Sequence, residues 1–418
     1  MNIQVIITII DLLLWLIIAA NVMYVLFFAL ASHLPKKTHL PSAILRPFGS
    51  KRADLERRHQ TSDISHQPSF LVLIPAYHED AVITNTVKSF LKQDYPKDLY
   101  QLCVISDHMD ATTNKQLAAL PITLFQPTFE NSSKAKALQY ATSDIRLQTS
   151  DIYDYVVILD ADNIVATDFL SRLSHITRPD IAIQCHRTAK NANNDIAALD
   201  GLSEEINNSI FRRGHNRIGL SSALIGSGMC FNYEWFKNNV NKLDSTVEDR
   251  ELEALLMKQG IFIHYSEDIQ VLDEKVSNGD NFQRQRLRWM TGQVQALSRM
   301  LPYAPKAIFT GNINYIDKTI QQTLIPRSIL LVIIPVLCLM SSVFTYRIHL
   351  PSSIFHLKWW LILICLCIAI FTAIPRQMRN SSLFNRLYSL PILVWKMIQN
   401  ILVIDRNNKE FIHTTHNK

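Results

Sequence analysis

Charge is what this 418-residue chain has least of: Asp, Glu, Lys and Arg make up 19% of it, while hydrophobic residues reach 48%. A typical soluble domain is nearer ~25% charged. That shortage excludes a disordered chain. The 42 Lys+Arg against 36 Asp+Glu leave a formal charge of only +6. No Lys/Arg-rich stripe with interleaved aromatics occurs, so nucleic acid is excluded as a partner. Cysteine is also scarce. Of six, Cys103, Cys185 and Cys230 stand singly, and Cys338, Cys365 and Cys367 lie in apolar runs. There is no Cys-x-x-Cys and no His/Cys cluster, which excludes a zinc site and a disulfide framework. Finally, no Lys or Arg precedes Lys36. Ala29-Leu30-Ala31 has an Ala-x-Ala form, but without a basic n-region a cleaved signal peptide is disfavoured.

The apolar residues gather at the two ends. Leu12 to Ala31 is a 20-residue run without charge, long enough to cross a ~30 Å hydrocarbon core as a helix. Basic residues follow it from Lys36 to Arg58, which places the N-terminus outside and the middle of the chain in the cytoplasm. Near the other end, Ser328 to Tyr346 and Trp359 to Pro375 are uncharged and read as two further spans. Leu387 to Ile404 is broken by Pro391 and Lys396 and reads as an amphipathic helix in the interface.

Between the ends, Phe70 to Pro75, Leu102 to Ile105 and Tyr155 to Leu159 are short continuous apolar runs, the pattern of strands buried on both faces. Helical stretches over Thr84 to Gln93 and Asn131 to Ala141 alternate with them. The alternation predicts an α/β domain with a parallel sheet, in which ligands bind beyond the carboxyl ends of the strands. Those ends are polar here: Pro75-Ala76-Tyr77-His78-Glu79-Asp80, Ser106-Asp107 and Asp160-Ala161-Asp162. Two carboxylates two residues apart on extended backbone point the same way. Asp160 and Asp162 are therefore candidate ligands for Mg²⁺ or Mn²⁺ shared with substrate phosphates; a turn or helix start is the alternative. Asp107 suits a nucleobase contact or a turn, and Lys134 a phosphate.

Taken in order, these segments resemble the family 2 glycosyltransferases, inverting enzymes with a GT-A, Rossmann-like nucleotide-sugar fold. The matching residues are Ile74 to Asp80, Asp107, Lys134-Ala135, Asp160-Ala161-Asp162, Gly226-Ser227-Gly228, Glu248-Asp249-Arg250-Glu251-Leu252 and Gln285-Arg286-Leu287-Arg288-Trp289. The last is similar to the Gln-x-x-Arg-Trp element of membrane-embedded cellulose, chitin-oligosaccharide and hyaluronan synthases and ceramide glucosyltransferases. The resemblance implies a GT-A domain over 68–300. The apolar and basic runs around it read as an N-terminal transmembrane anchor over 1–31, a basic linker over 32–67, an interfacial region over 301–327, transmembrane helices over 328–346 and 358–375, an interfacial helix over 387–404 and a cytoplasmic tail over 405–418. Together they predict a multi-pass protein of the inner membrane with its catalytic domain cytoplasmic.

The same resemblance implies roles. Asp249 is the general base, Arg288 stabilises the departing diphosphate, and Asp162 joins them as a catalytic residue that also holds the metal with Asp160. Ala76, Tyr77, Glu79, Asp107, Lys134 and Asp160 bind a UDP-sugar donor. Gly226, Ser227, Gly228, Gln285 and Trp289 bind a saccharide or lipid-linked acceptor, which receives a hexosyl or N-acetylhexosaminyl unit through a β-linkage. Membrane lipid is a partner. With so few spans, export of a long polymer would need self-association or other polysaccharide-assembly proteins. The sequence departs from the family pattern at His78, Ser133 and Gln139, where Asn, Gly and Asn are usual. Two other readings stand beside this one: a metal-dependent nucleotidyl- or phosphoryltransferase using Asp160 and Asp162, and an inactive scaffold of a polysaccharide-synthesis complex.

Overall fold

The computed structural model describes residues 3–36, 67–144, 153–245, 247–276, 278–348 and 354–379, with Arg386, Trp395 and Gln399. Nearly all of the basic linker, the 387–404 helix apart from Trp395 and Gln399, and the 405–418 tail lie outside the described residues.

The three apolar runs are strands, each flanked as expected: β1 (Phe70–Tyr77), α2 (Ile83–Phe90), β2 (Tyr100–Asp107), α3 (Ala111–Ala118), β3 (Thr123–Phe125), α4 (Lys134–Ser143) and β4 (Tyr155–Ile158), after an N-terminal α1 (Ile3–Ala31). β1 pairs in parallel with β2 and β4, and β2 with β3. Side chains alternate across a strand. Phe70, Val72 and Ile74 accordingly join one core with Val87 and Phe90 of α2, whereas Leu71 and Leu73 join another with Leu138 of α4. Both faces being covered explains why the strands show no polar alternation.

The chain continues through β5 (Ile164–Val165), α5 (Phe169–Ser174), β6 (Ile181–Ala189), α6 (Asp195–Asn207), a π-helical turn (Asn208–Gly214), α7 (His215–Ile218), β7 (Met229–Asn232), α8 (Tyr233–Asn239), α9 (Glu248–Lys258) and β8 (Phe262–Asp273). The eight strands form one sheet in the order β3-β2-β1-β4-β7-β6-β8-β5. The half beyond β4 is mixed: β7 is antiparallel to both β4 and β6, and β8 is parallel to β6 with an irregularity between Cys185 and His186.

The remaining helices are α10 (Gly279–Met300), α11 (Ala304–Phe309), α12 (Ile313–Thr323), α13 (Arg327–Ile348) and α14 (Ile354–Ala373). α1, α13 and α14 share a core that includes Ile18, Val22, Leu330, Ile334, Trp359 and Leu366. Toward the N-terminus of α1, Asp11 pairs with Lys358 and accepts a hydrogen bond from the Trp359 indole at 2.9 Å. Their outer faces leave Ile10, Leu13, Ile17, Leu339 and Leu361 about half exposed. Among the described residues α1 is the one helix that by itself is long and apolar enough to cross a membrane. α12 and α13 meet that test only as a pair bent by 58°. The apolar part of α14, Leu357–Ala373, extends about 25 Å at ~1.5 Å per residue, which is shorter than a ~30 Å core.

α1 is also fixed to the sheet domain. Gly214 in the π-helical turn comes so close to it that an added Cβ would lie 2.2 Å from the Phe28 carbonyl oxygen. The Phe28 ring stacks on His215 with centroids 3.5 Å apart. The Tyr24 hydroxyl donates to Asp317 of α12 at 2.6 Å and lies 3.0 Å from His215 Nε2.

Candidate active site

The carboxyl ends of β1, β2 and β4 open into a cavity of about 890 Å³. Ala76, Tyr77, Glu79, Asp107, Lys134, Asp160 and Asp162 line it from the sheet side, and Asp249, Gln285, Arg288 and Trp289 from α9 and α10. Gly226 is also at the wall. The structure thus brings nearly all the expected site residues around one space. Ser227 and Gly228 are the exceptions. Ser227 is fully buried and bonded to Asn163. A Cβ on Gly228 would meet Val271 at 2.9 Å. Their roles are internal: Ser227 ties the loop to the β4 end, and Gly228 permits close packing on β6 and β8.

Strand ends impose unusual backbone here. His78 (φ 54°) and His108 (φ 53°) directly follow β1 and β2 in the left-handed region. Asn, Asp and His tolerate that region best among residues with a side chain, so His78 meets a conformational demand that Asn would also meet. Asp107 is buried; one carboxylate oxygen lies 2.6 Å from His108 Nδ1 and accepts from the Phe129 amide at 3.4 Å.

The two aspartates after β4 do not lie on extended backbone. β4 ends at Ile158, and Asp160 to Asn163 is a turn closed by the Asn163 amide on the Asp160 carbonyl at 3.1 Å. Their carboxylates consequently take different partners. Asp160 is bonded to the Lys134 ammonium and lies 3.7 Å from the Arg187 guanidinium. Burial pushes its pKa up, but Lys134 and Arg187 outweigh that and hold it below the usual carboxylate range. Asp162 instead accepts from the Asn163 amide group at 3.1 Å and from the Glu274 backbone amide at 3.0 Å. Burial, with Asp273 and Asp160 adding to it, pushes this carboxyl well above the usual range.

Lys134, at the start of α4, is the hub. Besides Asp160, its ammonium donates to the Gly226 carbonyl at 2.6 Å and lies 3.5 Å from Glu248 Oε1. Burial pushes Glu248 up to about 7, with Lys134 opposing and Asp249 adding to the rise. Gly226 has φ 82°, and a Cβ placed there would lie 3.7 Å from Glu248, 3.8 Å from Asp249 and 4.0 Å from Lys134. That point marks where Lys134 and the two acids at the start of α9 converge. Arg288 lies in their field: burial presses its pKa down while Glu248, Asp160 and Asp249 oppose.

A second set of charges was not foreseen. Arg187, near the end of β6, reaches Glu204 at 3.2 Å and Asp273 at 3.5 Å, and Lys275 pairs with both acids. Asn163 donates to Asp162 and Asp273 from one amide nitrogen. Asp273 ends β8 as Asp107 ends β2, so the strand-end rule would have found it had β8 been recognised.

Behind this wall, Glu253 of α9 accepts from the Leu224 amide at 2.8 Å, and the fully buried Lys318 of α12 sits in the field of Glu253 and Asp317. α9 is thereby braced from the α1–α12 side.

Among solved structures, the fold is similar to a mannosyltransferase from Pyrobaculum calidifontis in complex with GDP-Man and Mn2+ (15% identity, 87% of this chain and 98% of that one, TM-score 0.48). It is also similar to residues 1–349 of TarS from S. aureus in complex with UDP-GlcNAc (12% identity, 80% and 90%, TM-score 0.39). A third is glucosyl-3-phosphoglycerate synthase from Mycobacterium tuberculosis with Mn2+, uridine-diphosphate and glucosyl-3-phosphoglycerate (18% identity, 59% and 81%, TM-score 0.35). No curated protein matches in sequence. The family described as "Glycosyltransferase like family 2" matches residues 67–292. Because that match spans more than half of the chain and takes in every strand of the sheet, the chain belongs to glycosyltransferase-like family 2 and is a glycosyltransferase.

Proposed function

We propose that the chain is an inverting, metal-dependent transferase that moves a hexosyl or N-acetylhexosaminyl unit from a UDP-sugar to a hydroxyl of a saccharide or lipid-linked acceptor, forming a β-glycosidic bond. The observation that carries this reading is the convergence at Gly226, where Lys134, Glu248 and Asp249 come within 4.0 Å of one point on the cavity wall. Asp249 takes the proton of the acceptor hydroxyl. The acceptor oxygen bonds to the anomeric carbon as the bond from that carbon to the diphosphate breaks on the opposite face, and UDP leaves with the electron pair. Arg288 faces the charge that develops there. Tyr77, Glu79 and Asp107 line the nucleotide side, and Trp289 the acceptor side.

The donor set fits a divalent cation held mostly by substrate. Among the described residues no cluster of three or more His, Cys, Asp or Glu forms a closed cage. Asp162, with Asp160 beside it, supplies one or two carboxylates, which is the protein share Mg²⁺ or Mn²⁺ commonly takes with diphosphate oxygens. Such an ion neutralises charge on the leaving diphosphate. Asp162 favours this reading because it is buried among like charges, an arrangement that a cation relieves.

The apolar α1 supports a membrane location; we place the protein as a multi-pass protein of the inner membrane, with the sheet domain on the cytoplasmic side and α13 and α14 completing the anchor. UDP release measured with a panel of UDP-sugars and Mg²⁺ or Mn²⁺ tests the function. Stimulation by one sugar nucleotide supports it; pyrophosphate release instead of UDP, or no turnover of any donor, overturns it.

A further inference from the structure

The cavity does not stop at Trp289. Its wall also includes apolar residues, Val25 of α1, Leu331 of α13, Ile370 and Phe371 of α14 and Ile374 just after it, and Val25 and Ile374 share a core with Phe282 and Met290 of α10. Two arginines line the same wall and lie in each other's field. Arg286 is nine-tenths buried and held flat, its guanidinium 4.3 Å from the Trp289 ring centroid and 4.7 Å from that of Phe282. It pairs with Asp200 of α6, but its buried Nε has no partner. Arg327 opens α13. One of its terminal nitrogens donates to Asn207 at 2.6 Å and to the Ser203 carbonyl at 3.3 Å, while the other is buried and unpartnered. No carboxylate among the described residues pairs with Arg327.

Two guanidiniums with one carboxylate, Asp200 on Arg286, leave a net positive charge at this part of the cavity wall. Burying a cation without a counter-charge is costly, and a donor left unmatched there costs further. The N-terminal end of the 22-residue α13, with Pro326, Arg327 and Ser328 at the wall, adds the positive end of a helix dipole. An anion completes this arrangement, and a phosphate matches the fork geometry of arginine. Whatever carries that phosphate shares the cavity with the apolar wall residues and the carboxylates of α9.

We propose that Arg286 and Arg327 form a phosphate-binding site for an amphipathic lipid acceptor. The phosphate group of the lipid rests on the two guanidiniums, its hydrocarbon chain lies against the apolar wall residues of α1, α13 and α14, and its glycosyl-accepting end points toward Asp249. The inference rests on the glycosyltransferase reading for that last part alone; the phosphate and chain sites are separate physical claims. It narrows the acceptor from any saccharide to one borne on a long-chain phosphate, and it makes Asp200 a positioning residue that holds Arg286 against Trp289.

The test is direct binding to the purified full-length protein in detergent, with three probes: geranylgeranyl phosphate, geranylgeraniol and inorganic phosphate. UDP binding to the same wild-type preparation is measured alongside. Geranylgeranyl phosphate is expected to bind at least about tenfold more tightly than either other probe, since a charged hydrogen bond and chain burial each contribute on that scale. Arg327→Gln should weaken it about tenfold or more, and Ile370→Trp, which fills space at the apolar wall, should weaken geranylgeranyl phosphate while sparing inorganic phosphate. Thermal melting of each variant establishes that it is folded. Equal affinity for the alcohol would overturn the phosphate site; equal affinity for inorganic phosphate would leave only an ion site and overturn the lipid. Failure of geranylgeranyl phosphate beside normal UDP binding sinks this inference and spares the glycosyltransferase reading. Binding of the lipid phosphate without UDP or any UDP-sugar does the reverse.

Discussion

Asp249 and Glu248 are adjacent acids at the start of one helix, yet their surroundings separate them. Glu248 is buried against Lys134, whereas Asp249 accepts from the Arg250 amide at 2.8 Å and lines the cavity. Asp249→Asn should lower transfer by about a hundredfold or more, the usual scale for losing a general base, with UDP-sugar affinity nearly unchanged. Turnover above a tenth of wild type would remove Asp249 from that role. Asp162→Ala should abolish the metal dependence of UDP binding. Identical affinities with and without Mg²⁺ or Mn²⁺, matching the wild type in both, would count against a metal there. Glu248 gives a pH signature. Burial raises its carboxyl to about 7, above the ordinary glutamate range, so the folded state holds its proton more tightly than the unfolded one. That contribution is complete below the unfolded value and lost as pH rises through about 7. Melting temperatures of wild type and Glu248→Gln should therefore differ with pH, wild type losing ground to the variant between about pH 5 and pH 8. Parallel curves would show that Glu248 titrates normally. These residues were legible in the sequence because each lies beside a motif or a strand end. The cluster of Arg187, Glu204, Asp273 and Lys275 was not, since its members come from β6, α6 and the end of β8 and meet only after folding.

Elements set the geometry those residues need. α10 carries Gln285, Arg288 and Trp289 on the cavity side, and one turn later Gly292 faces Val247, the residue just before α9. A Cβ at Gly292 would lie 2.3 Å from Val247 Cγ1. Gly292→Ala should push the start of α9, and with it Glu248 and Asp249, away from the acceptor. Turnover should fall by about a hundredfold, the effect expected of a displacement near 1 Å, while UDP binding survives. Wild-type turnover in Gly292→Ala would mean that α9 and α10 are not held this tightly. The parallel half of the sheet was readable from its continuous apolar runs, although β1 extends two residues beyond its run and β2 two residues beyond its run at each end. The mixed half was not. β5 and β7 are only two and four residues long, too short to carry a periodic signal. β8 alternates buried and exposed positions only in part. The turn at Asp160 stood only as the alternative to extended backbone for a related reason: an apolar run shows where a strand lies better than where it stops.

At the scale of the whole molecule, α1 and the sheet domain share a core. Val25, Phe28 and Ala29 of α1 pack with Leu202, Ile206 and Ile210 and with Ala369 and Ala373 of α14, and Tyr24 completes the polar network of His215 and Asp317. Removing residues 1–31 should therefore not release a soluble, active domain. Size-exclusion chromatography of the truncated chain should show aggregation, with UDP-sugar turnover lost even in detergent; a monodisperse, active product would show that α1 is only a tether. A different consequence follows from Lys134. Its ammonium already sits among Asp160, Glu248 and the Gly226 carbonyl, so one positive charge is in place beside these carboxylates before any donor arrives. A donor that brings its own divalent cation would set a second positive charge close to the first, and the carboxylates around Asp160 would have to serve both.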